Sequence, residues 1–210
     1  MKLFSTRASI LSLAILAFIA APMQAVTIAE NISVPVNFIT SNGLGASYGQ
    51  TFTLTGTGTF TNVTFNFFQG SAAAPIPYAL GTAFLLSAPY TGTAAGLSSG
   101  TAGYLGQAVA AGGFYSFGAG VTLTAGPLYF LYTNGLFPDA TLRGGAGNPY
   151  AGGDMLLSLA NGDYAPANPG FDAGFRVTGD AVGAPDGGST ALLLALGVAG
   201  LWFGRRARLA

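Results

Sequence analysis

The 210-residue chain contains no cysteine and no histidine, and its one lysine is Lys2. Without cysteine it has no disulfide framework and no thiol nucleophile, and without histidine it has neither a Cys/His zinc site nor a histidine general base. Charged residues make up only 7% of the sequence, against about 25% in an average soluble protein. So few cations offer no basic surface to a phosphate backbone, and the sequence therefore predicts no nucleic-acid partner.

Glycine and apolar residues are what the chain has in abundance. It contains 33 glycines, and half of its residues are hydrophobic. Charge is unevenly distributed, since residues 26–184 hold six acids and two arginines, a net charge of −4. The other five basic residues lie at the two ends: Lys2, Arg7, Arg205, Arg206 and Arg208. The composition predicts two membrane-directed ends attached to one mildly acidic, glycine-rich domain.

The N-terminus has the pattern of an export signal. Lys2 and Arg7 precede an uncharged apolar run at residues 10–21. A basic start, an apolar run of this length and a small residue at the cleavage point are typical of a signal peptide. We therefore predict a signal peptide at residues 1–25, cleaved after Ala25. The alternative is an uncleaved N-terminal anchor, although the run is short for a span of about 20 residues.

The C-terminus carries a second uncharged apolar stretch, at residues 190–204. At about 1.5 Å per residue, a helix over this stretch is slightly shorter than the membrane's hydrocarbon core of about 30 Å. The basic end at residues 205–210 contains Arg205, Arg206 and Arg208. Such a cluster favours the cytoplasmic side of a membrane, so the preceding chain is expected on the other side. The pattern predicts a transmembrane helix, of which an ordinary tail anchor is one form, and a buried C-terminal helix is the alternative.

Residues 184–190, Ala-Pro-Asp-Gly-Gly-Ser-Thr, stand immediately before the apolar stretch. A short Pro-acidic motif, an apolar helix and an arginine cluster in this order resemble a PEP-CTERM-type sorting tail, most closely the VPDSG-CTERM variant. Ala184 stands where that variant has Val, and Gly187 where it has Ser. The resemblance implies that residues 183–210 are recognised and cleaved by an exosortase in the inner membrane. It also implies a sorting motif formed by Pro185, Asp186, Gly187, Gly188 and Ser189.

Between the two ends, residues 26–182 show the pattern of short β-strands. Residues 63–68 and 128–133 are rich in aromatic and β-branched side chains that alternate with period two. Residues 104–110 form either a strand or part of a long surface loop. Further strands are predicted at residues 33–39, 50–54, 82–87, 114–117, 121–124, 155–159 and 173–178. The predicted fold class is all-β, with a single β-sandwich or jelly-roll-like domain.

Several short sequence segments in this domain resemble those of small exported bacterial β-sandwich domains, which are similar to jelly-roll carbohydrate-binding modules. These segments are at residues 49–52, 60–65, 121–126, 148–153 and 172–176. The resemblance implies a sandwich fold, and it supplies an alternative function, a carbohydrate-binding module that attaches to exopolysaccharide. Exposed tyrosines would serve such a module. The candidates are Tyr48, Tyr78, Tyr90, Tyr104 and Tyr150.

The domain offers few groups for catalysis or metal binding. Residues 96–100 match G-x-S-x-G, but a hydrolase of that type needs a histidine base, which the chain lacks. No catalytic residue is therefore predicted. Oxygen ligands for calcium could come from Asp154, Asn161 and Asp163, and no other cofactor is predicted. Alternatively, these residues serve only as turn residues.

Asp172 and Arg176 are four residues apart in a predicted strand, which places both side chains on one face. They predict either a structural ion pair or an arginine that contacts a ligand.

These patterns together predict a non-enzymatic exported protein of the cell surface or extracellular matrix. Its expected partners are the export machinery and an exosortase, with transient anchoring in the inner membrane. Polysaccharide is the partner in the carbohydrate-binding alternative.

Overall fold

The computed structural model describes residues 25–32, 37–39, 45–69, 74–75, 81–136, 142–147, 149–167 and 170–183. The predicted sorting motif, C-terminal apolar stretch and basic end lie outside these residues, as does the predicted signal peptide apart from Ala25. Within the described ranges, no helix has the length and apolar character needed to span a membrane. The described strands all lie in one compact unit, Ala25–Val182.

The regular structure of the described residues consists of fifteen strands and one 3-10 turn at Ala94–Gly96. The strands are β1 (Val26–Asn31), β2 (Asn37–Ile39), β3 (Ala46–Thr53), β4 (Thr59–Gln69), β5 (Ala74–Pro75), β6 (Thr82–Leu86), β7 (Tyr104–Ala111), β8 (Phe114–Ser116), β9 (Leu123–Thr124), β10 (Leu128–Thr133), β11 (Leu142–Gly145), β12 (Met155–Leu159), β13 (Ala165–Pro166), β14 (Asp172–Ala173) and β15 (Phe175–Ala181). The predicted all-β class is confirmed.

The strands belong to one continuous sheet in which neighbouring strands pair antiparallel. The main path runs β1–β15–β4–β8–β7–β6–β10–β3–β12–β13. β11 joins at β4 and also pairs with β2 and β14, while β5 and β9 pair with β4. Most neighbours on the path are distant in sequence, so the sheet depends on long-range pairing.

The sheet curls until its two halves face each other across an aromatic core. β3 and β4 are five steps apart on the path, so a flat sheet would separate them by about 24 Å at about 4.8 Å per strand. Yet the ring centroid of Phe52 on β3 lies 5.9 Å from that of Phe65 on β4 and 6.3 Å from that of Phe175 on β15. Phe65 and Phe175 are themselves stacked at 5.4 Å. Burial of these rings stabilises the curled shape.

The clearest sequence patterns are confirmed as strands. Residues 128–133 and 155–159 coincide with β10 and β12, and residues 63–68 lie inside the longer β4. Residues 104–110 belong to strand β7, which excludes the loop alternative. The predicted runs at residues 50–54, 82–87, 114–117 and 121–124 overlap β3, β6, β8 and β9.

Some strands differ from the sequence predictions. Residues 37–39 of the predicted strand at 33–39 form β2, and residues 33–36 lie outside the described residues. Strands β1, β5, β11 and β13 were not predicted. A bulge in β1 buries two consecutive residues, Ile28 and Ala29, and this hides the alternation that marks a strand. The predicted strand at 173–178 is divided at Gly174, which lies between β14 and β15.

Candidate functional site

The two faces of strand β10 meet different surroundings. Tyr129 and Leu131 point into the aromatic core, whereas Phe130 and Tyr132 point to the opposite, outer face of the sheet. This follows from the two-residue period of a strand. The outer face has its own hydrophobic cluster, whose buried members are Phe84, Leu86, Ala94, Leu97, Tyr132 and Tyr164.

The connection between β6 and β7, residues 87–103, folds over part of this outer face. The Tyr90 N–H donates a hydrogen bond to the Tyr132 hydroxyl at 2.8 Å, and the Tyr90 hydroxyl donates to the Thr93 carbonyl at 2.9 Å. The rings of Tyr90 and Tyr164 both meet the Tyr132 ring edge-on, with centroids at 5.8 and 4.8 Å. Hydroxyl hydrogen bonds and apolar burial together hold this cluster in one geometry.

Three aromatic rings at the margin of the cluster are only half-buried: Tyr90, Tyr104 and Phe130. Together with Leu128, which is 41% exposed, they form what we call the outer patch. Leu86 of β6 pairs with Tyr104 of β7 on one side and with Phe130 of β10 on the other. At about 4.8 Å per strand, the backbones of Tyr104 and Phe130 therefore stand roughly 10 Å apart on the same face.

The outer patch lies in a long part of the chain that carries no formal charge. None of residues 31–138 is Asp, Glu, Lys, Arg or His. On the same face, Thr51 of β3 pairs with Phe130, and the exposed Gln107 lies on β7. The sequence analysis named Tyr90 and Tyr104 as candidates for exposure, but it grouped them with the fully buried Tyr48 and missed Phe130. The signal that could have found the region is this charge-free run.

A buried polar arrangement lies where β3, β14 and the loop before β12 meet. Asp172 is fully buried, and it accepts hydrogen bonds from Gln50 Nε2 at 3.3 Å and from the Tyr150 N–H at 3.0 Å. Gln50 Oε1 accepts in turn from the Ala173 N–H at 3.0 Å. Burial raises the pKa of the Asp172 carboxyl above its ordinary 3.8, the two hydrogen bonds lower it, and nearby Asp154 raises it. The arrangement ties three segments together, which is a structural role.

The predicted pair of Asp172 with Arg176 is corrected. Arg176 lies on β15, and its Nε donates to Glu30 Oε2 on the neighbouring β1 at 3.0 Å, with both side chains exposed. Strand pairing is interrupted at Gly174, so the single-strand spacing that predicted a shared face does not apply. The guanidinium of Arg176 also lies 5.6 Å from the ring centroid of Phe68. An exposed pair of this kind contributes about 0–1 kcal/mol.

The three predicted calcium ligands do not share a site. Asp154 precedes β12, whereas Asn161 and Asp163 follow it. The five-residue strand separates the two groups by roughly 17 Å at about 3.3 Å per residue. Asn161 has a φ of +64° in an exposed turn, which fits the turn alternative. Among the described residues, no three His, Cys, Asp or Glu side chains are grouped so that they could hold a metal ion.

The remaining predicted site residues have different outcomes. Tyr48 is fully buried, Tyr90, Tyr104 and Tyr150 are half-buried, and Tyr78 lies outside the described residues. The sorting motif and the basic end also lie outside the described residues: Pro185, Asp186, Gly187, Gly188, Ser189, Arg205, Arg206 and Arg208.

No protein-family model matches the chain, and no curated protein matches it. The chemistry of the outer patch and of the two chain ends is therefore the basis for a function.

Proposed function

We propose that this chain is a non-enzymatic exported protein, delivered to the cell surface or extracellular matrix by an exosortase that cleaves its C-terminal tail. The observation that carries the proposal is the order of features in residues 184–210: a Pro-Asp motif, an uncharged apolar stretch and an arginine cluster. Such a stretch inserts with its basic end in the cytoplasm, which leaves the preceding chain on the other side. The basic and apolar N-terminus directs the chain to that same side.

The delivered part would be the compact unit Ala25–Val182, which we propose to be a β-sandwich of the jelly-roll type. The packing of β3 against β4 and β15 supports this proposal, since the halves of a sandwich share one core between their inner faces. The unit begins and ends beside the two predicted cleavage regions. Removal of both ends would therefore leave its strands complete.

The distribution of acids supports a non-enzymatic role. Glycoside hydrolysis needs two carboxyl groups about 5–9.5 Å apart across one cleft. Glu30 is paired with Arg176, and Asp172 is buried among hydrogen-bond donors. Asp154 lies near Asp172, but Asp172 is fully buried, and Asp163 lies at the opposite end of β12. Asp180 accepts a hydrogen bond from Asn62 at 2.8 Å. This arrangement favours a structural or adhesive role over hydrolysis.

The test follows the C-terminus of the full-length protein in a host with an exosortase and in the same host without one. Intact-mass spectrometry of exported protein should show loss of residues 205–210 only when the exosortase is present. Asp186→Ala should keep the tail, because it removes the acid of the proposed motif. Asp163→Ala, which removes an exposed acid of the folded unit, should be processed normally. Exported wild-type protein that still carries its arginine cluster would contradict the proposal.

A carbohydrate-binding module is the second candidate, and one observation favours it: the half-buried rings of the outer patch all belong to a stretch of the chain that carries no charge. Pyranose rings bind with their apolar C–H faces against aromatic rings, while neutral polar groups meet their hydroxyls. Such binding would attach the exported domain to polysaccharide. The two candidates are compatible, since one concerns delivery and the other attachment.

A further inference from the structure

We propose that the outer patch binds a neutral polysaccharide chain, with sugar rings packed on Phe130 and Tyr104. The proposal deepens the carbohydrate-binding candidate and rests on it, but it is independent of C-terminal processing. It names both the surface and the charge class of the ligand, which the sequence patterns left open.

The spacing of the rings suits a linear glycan. Phe130 and Tyr104 flank Leu86 on adjacent strands, so their backbones are separated by two strand spacings, roughly 10 Å. This is about the length of a disaccharide. Both rings stand on paired strands, and Phe130 is stacked parallel to Tyr132 at 6.5 Å. A surface that is ordered before binding loses little conformational entropy when the ligand arrives.

The charged side chains around the outer patch favour a neutral glycan over an acidic one. The described residues contain two cations, and neither belongs to the outer patch: Arg143 is a buried residue of β11, and Arg176 pairs with Glu30. Among the described residues, two exposed acids lie beside the outer patch. The backbone of Asp154 bonds to Thr51 beside Phe130, and Asp163 forms a β-bridge with Thr93 in the connection that carries Tyr90. A uronic acid or sulfate group would therefore meet an acid and no cation, which is unfavourable.

Neutral hydrogen-bonding groups border the rings. Gln107 on β7 is exposed, and it lies on the same face as Tyr104 because the bulge at Leu105 resets the alternation there. Thr53 of β3 is half-buried and pairs with Leu128, whereas the hydroxyl of the buried Thr51 is occupied by the backbone of Asp154. Amide and hydroxyl groups of this kind can both donate to and accept from sugar hydroxyls.

A second copy of the chain is the other occupant to consider. A stable protein interface buries about 800 Å² on each partner. The outer patch offers three half-buried rings and one exposed leucine, bordered by polar side chains. This small area suits sugar rings better than a protein surface.

Affinity electrophoresis of the full-length protein in mild detergent tests the ligand class. Each gel contains one polysaccharide: dextran, amylose, galactomannan or hydroxyethyl cellulose as neutral probes, and alginate or dextran sulfate as anionic probes. The expected result is retardation by at least one neutral probe and by neither anionic probe. No retardation by any neutral probe, or equal retardation by an anionic one, overturns the proposal.

Two variants test the rings. Phe130→Leu and Tyr104→Leu remove the flat ring and keep apolar bulk, so each should weaken the apparent affinity about ten-fold. Phe114→Leu is the matched control, because Phe114 is 39% exposed and belongs to neither hydrophobic cluster. Its retardation should equal that of the wild type. Wild-type affinity in both ring variants would overturn the proposal.

Two further measurements keep the outcome unambiguous. Circular dichroism checks that each variant is folded; if Phe130→Leu is not, Tyr104→Leu and Gln107→Ala carry the test, with weakened binding expected. Sedimentation velocity follows self-association. A ring variant that changes the oligomeric state but not the retardation would make the outer patch a contact between copies and overturn the glycan site. If the wild-type protein is processed normally but no neutral probe retards it, the glycan site is rejected and the sorting proposal is unaffected.

Discussion

Asp172 is the one acid among the described residues that is fully buried. Burial of a carboxyl group disfavours its charged form, and donors such as Gln50 Nε2 and the Tyr150 N–H offset part of that cost. The net effect is a pKa above the ordinary value. Folding therefore favours the protonated form of this group, although the group holds together segments that are far apart in sequence.

This gives a pH dependence with a definite sign. Because the folded pKa of Asp172 lies above the unfolded value near 3.8, its stabilising contribution is fully present below that value. The contribution is lost as the pH rises through the folded pKa. We expect the free energy of unfolding of the wild type to fall over this window relative to that of Asp172→Asn, which cannot titrate. Urea unfolding of both proteins, at a series of pH values from about 3 to about 8, measures the difference. Parallel curves would contradict it.

Gly153 lies closer to the backbone of strand β3 than any residue with a side chain could. A Cβ there would lie 2.0 Å from the Thr51 carbonyl oxygen and 2.4 Å from its carbon. Both are backbone atoms of the central strand β3. We expect Gly153→Ala to lower the free energy of unfolding by about 1–3 kcal/mol, since the strand or the loop must shift.

The control is Gly118→Ala, whose Cβ would meet nothing within 4 Å. Its free energy of unfolding should change by less than about 0.5 kcal/mol. Denaturant titration of both variants checks the contrast, and equal effects would show that the close approach at Gly153 is unimportant.

At the scale of elements, the loop before β12 is fastened to its neighbours by Tyr150. Its hydroxyl donates to the Thr53 carbonyl at 2.8 Å and accepts from the Thr53 N–H at 3.2 Å. Its ring meets that of Phe175 on β15 edge-on, with centroids 5.0 Å apart. One side chain thus links a glycine-rich loop to both halves of the curled sheet.

Tyr150→Phe should keep the ring contact and remove both hydrogen bonds. We expect a loss of about 1–3 kcal/mol in the free energy of unfolding, at about 1 kcal/mol for each bond. Tyr104→Phe is the comparison, because the Tyr104 hydroxyl makes no described hydrogen bond, and it should change stability little. Thermal or urea unfolding distinguishes them. A Tyr150→Phe protein as stable as the wild type would mean that the loop is held in another way.

The elements that the sequence predicted best are those with an uninterrupted two-residue alternation, such as β10 and β12. The local pattern is enough there, because alternate side chains meet opposite faces whatever the strand's partner is. β1 was missed because its bulge buries Ile28 and Ala29 together. The break at Gly174 was missed because it reflects the pairing of β14 with β11, which no local pattern records.

On the scale of the whole molecule, charge is segregated along the chain. Residues 31–138 carry none, and five of the seven basic residues lie in the two end segments. Within the described residues, the ion pair of Glu30 and Arg176 joins β1 to β15, away from the outer patch. The full chain is formally neutral only because its basic end segments balance its acidic middle segment.

Processing should therefore shift the isoelectric point in steps. The full chain has a net charge of zero and a pI near 6.0. Residues 26–210 contain seven acids and five arginines, a net charge of −2. Loss of the tail leaves −4, or −5 if Asp186 stays with the product. Isoelectric focusing of exported protein should show the most acidic form in an exosortase host and the −2 form without the enzyme. Identical focusing positions in the two hosts would contradict tail removal.

By itself, the sequence determined the all-β class, most of the strands and the charge segregation, because strand periodicity and residue counts are local or additive properties. The tertiary structure alone decided which aromatic rings fill the core and which stand half-exposed on the outer face. It also decided that Arg176 pairs with Glu30, and that Asp172 bonds to Gln50, 122 residues away in the sequence. These outcomes depend on how a curled sheet brings distant strands together, and the free energy of that packing is a property of the whole set of contacts.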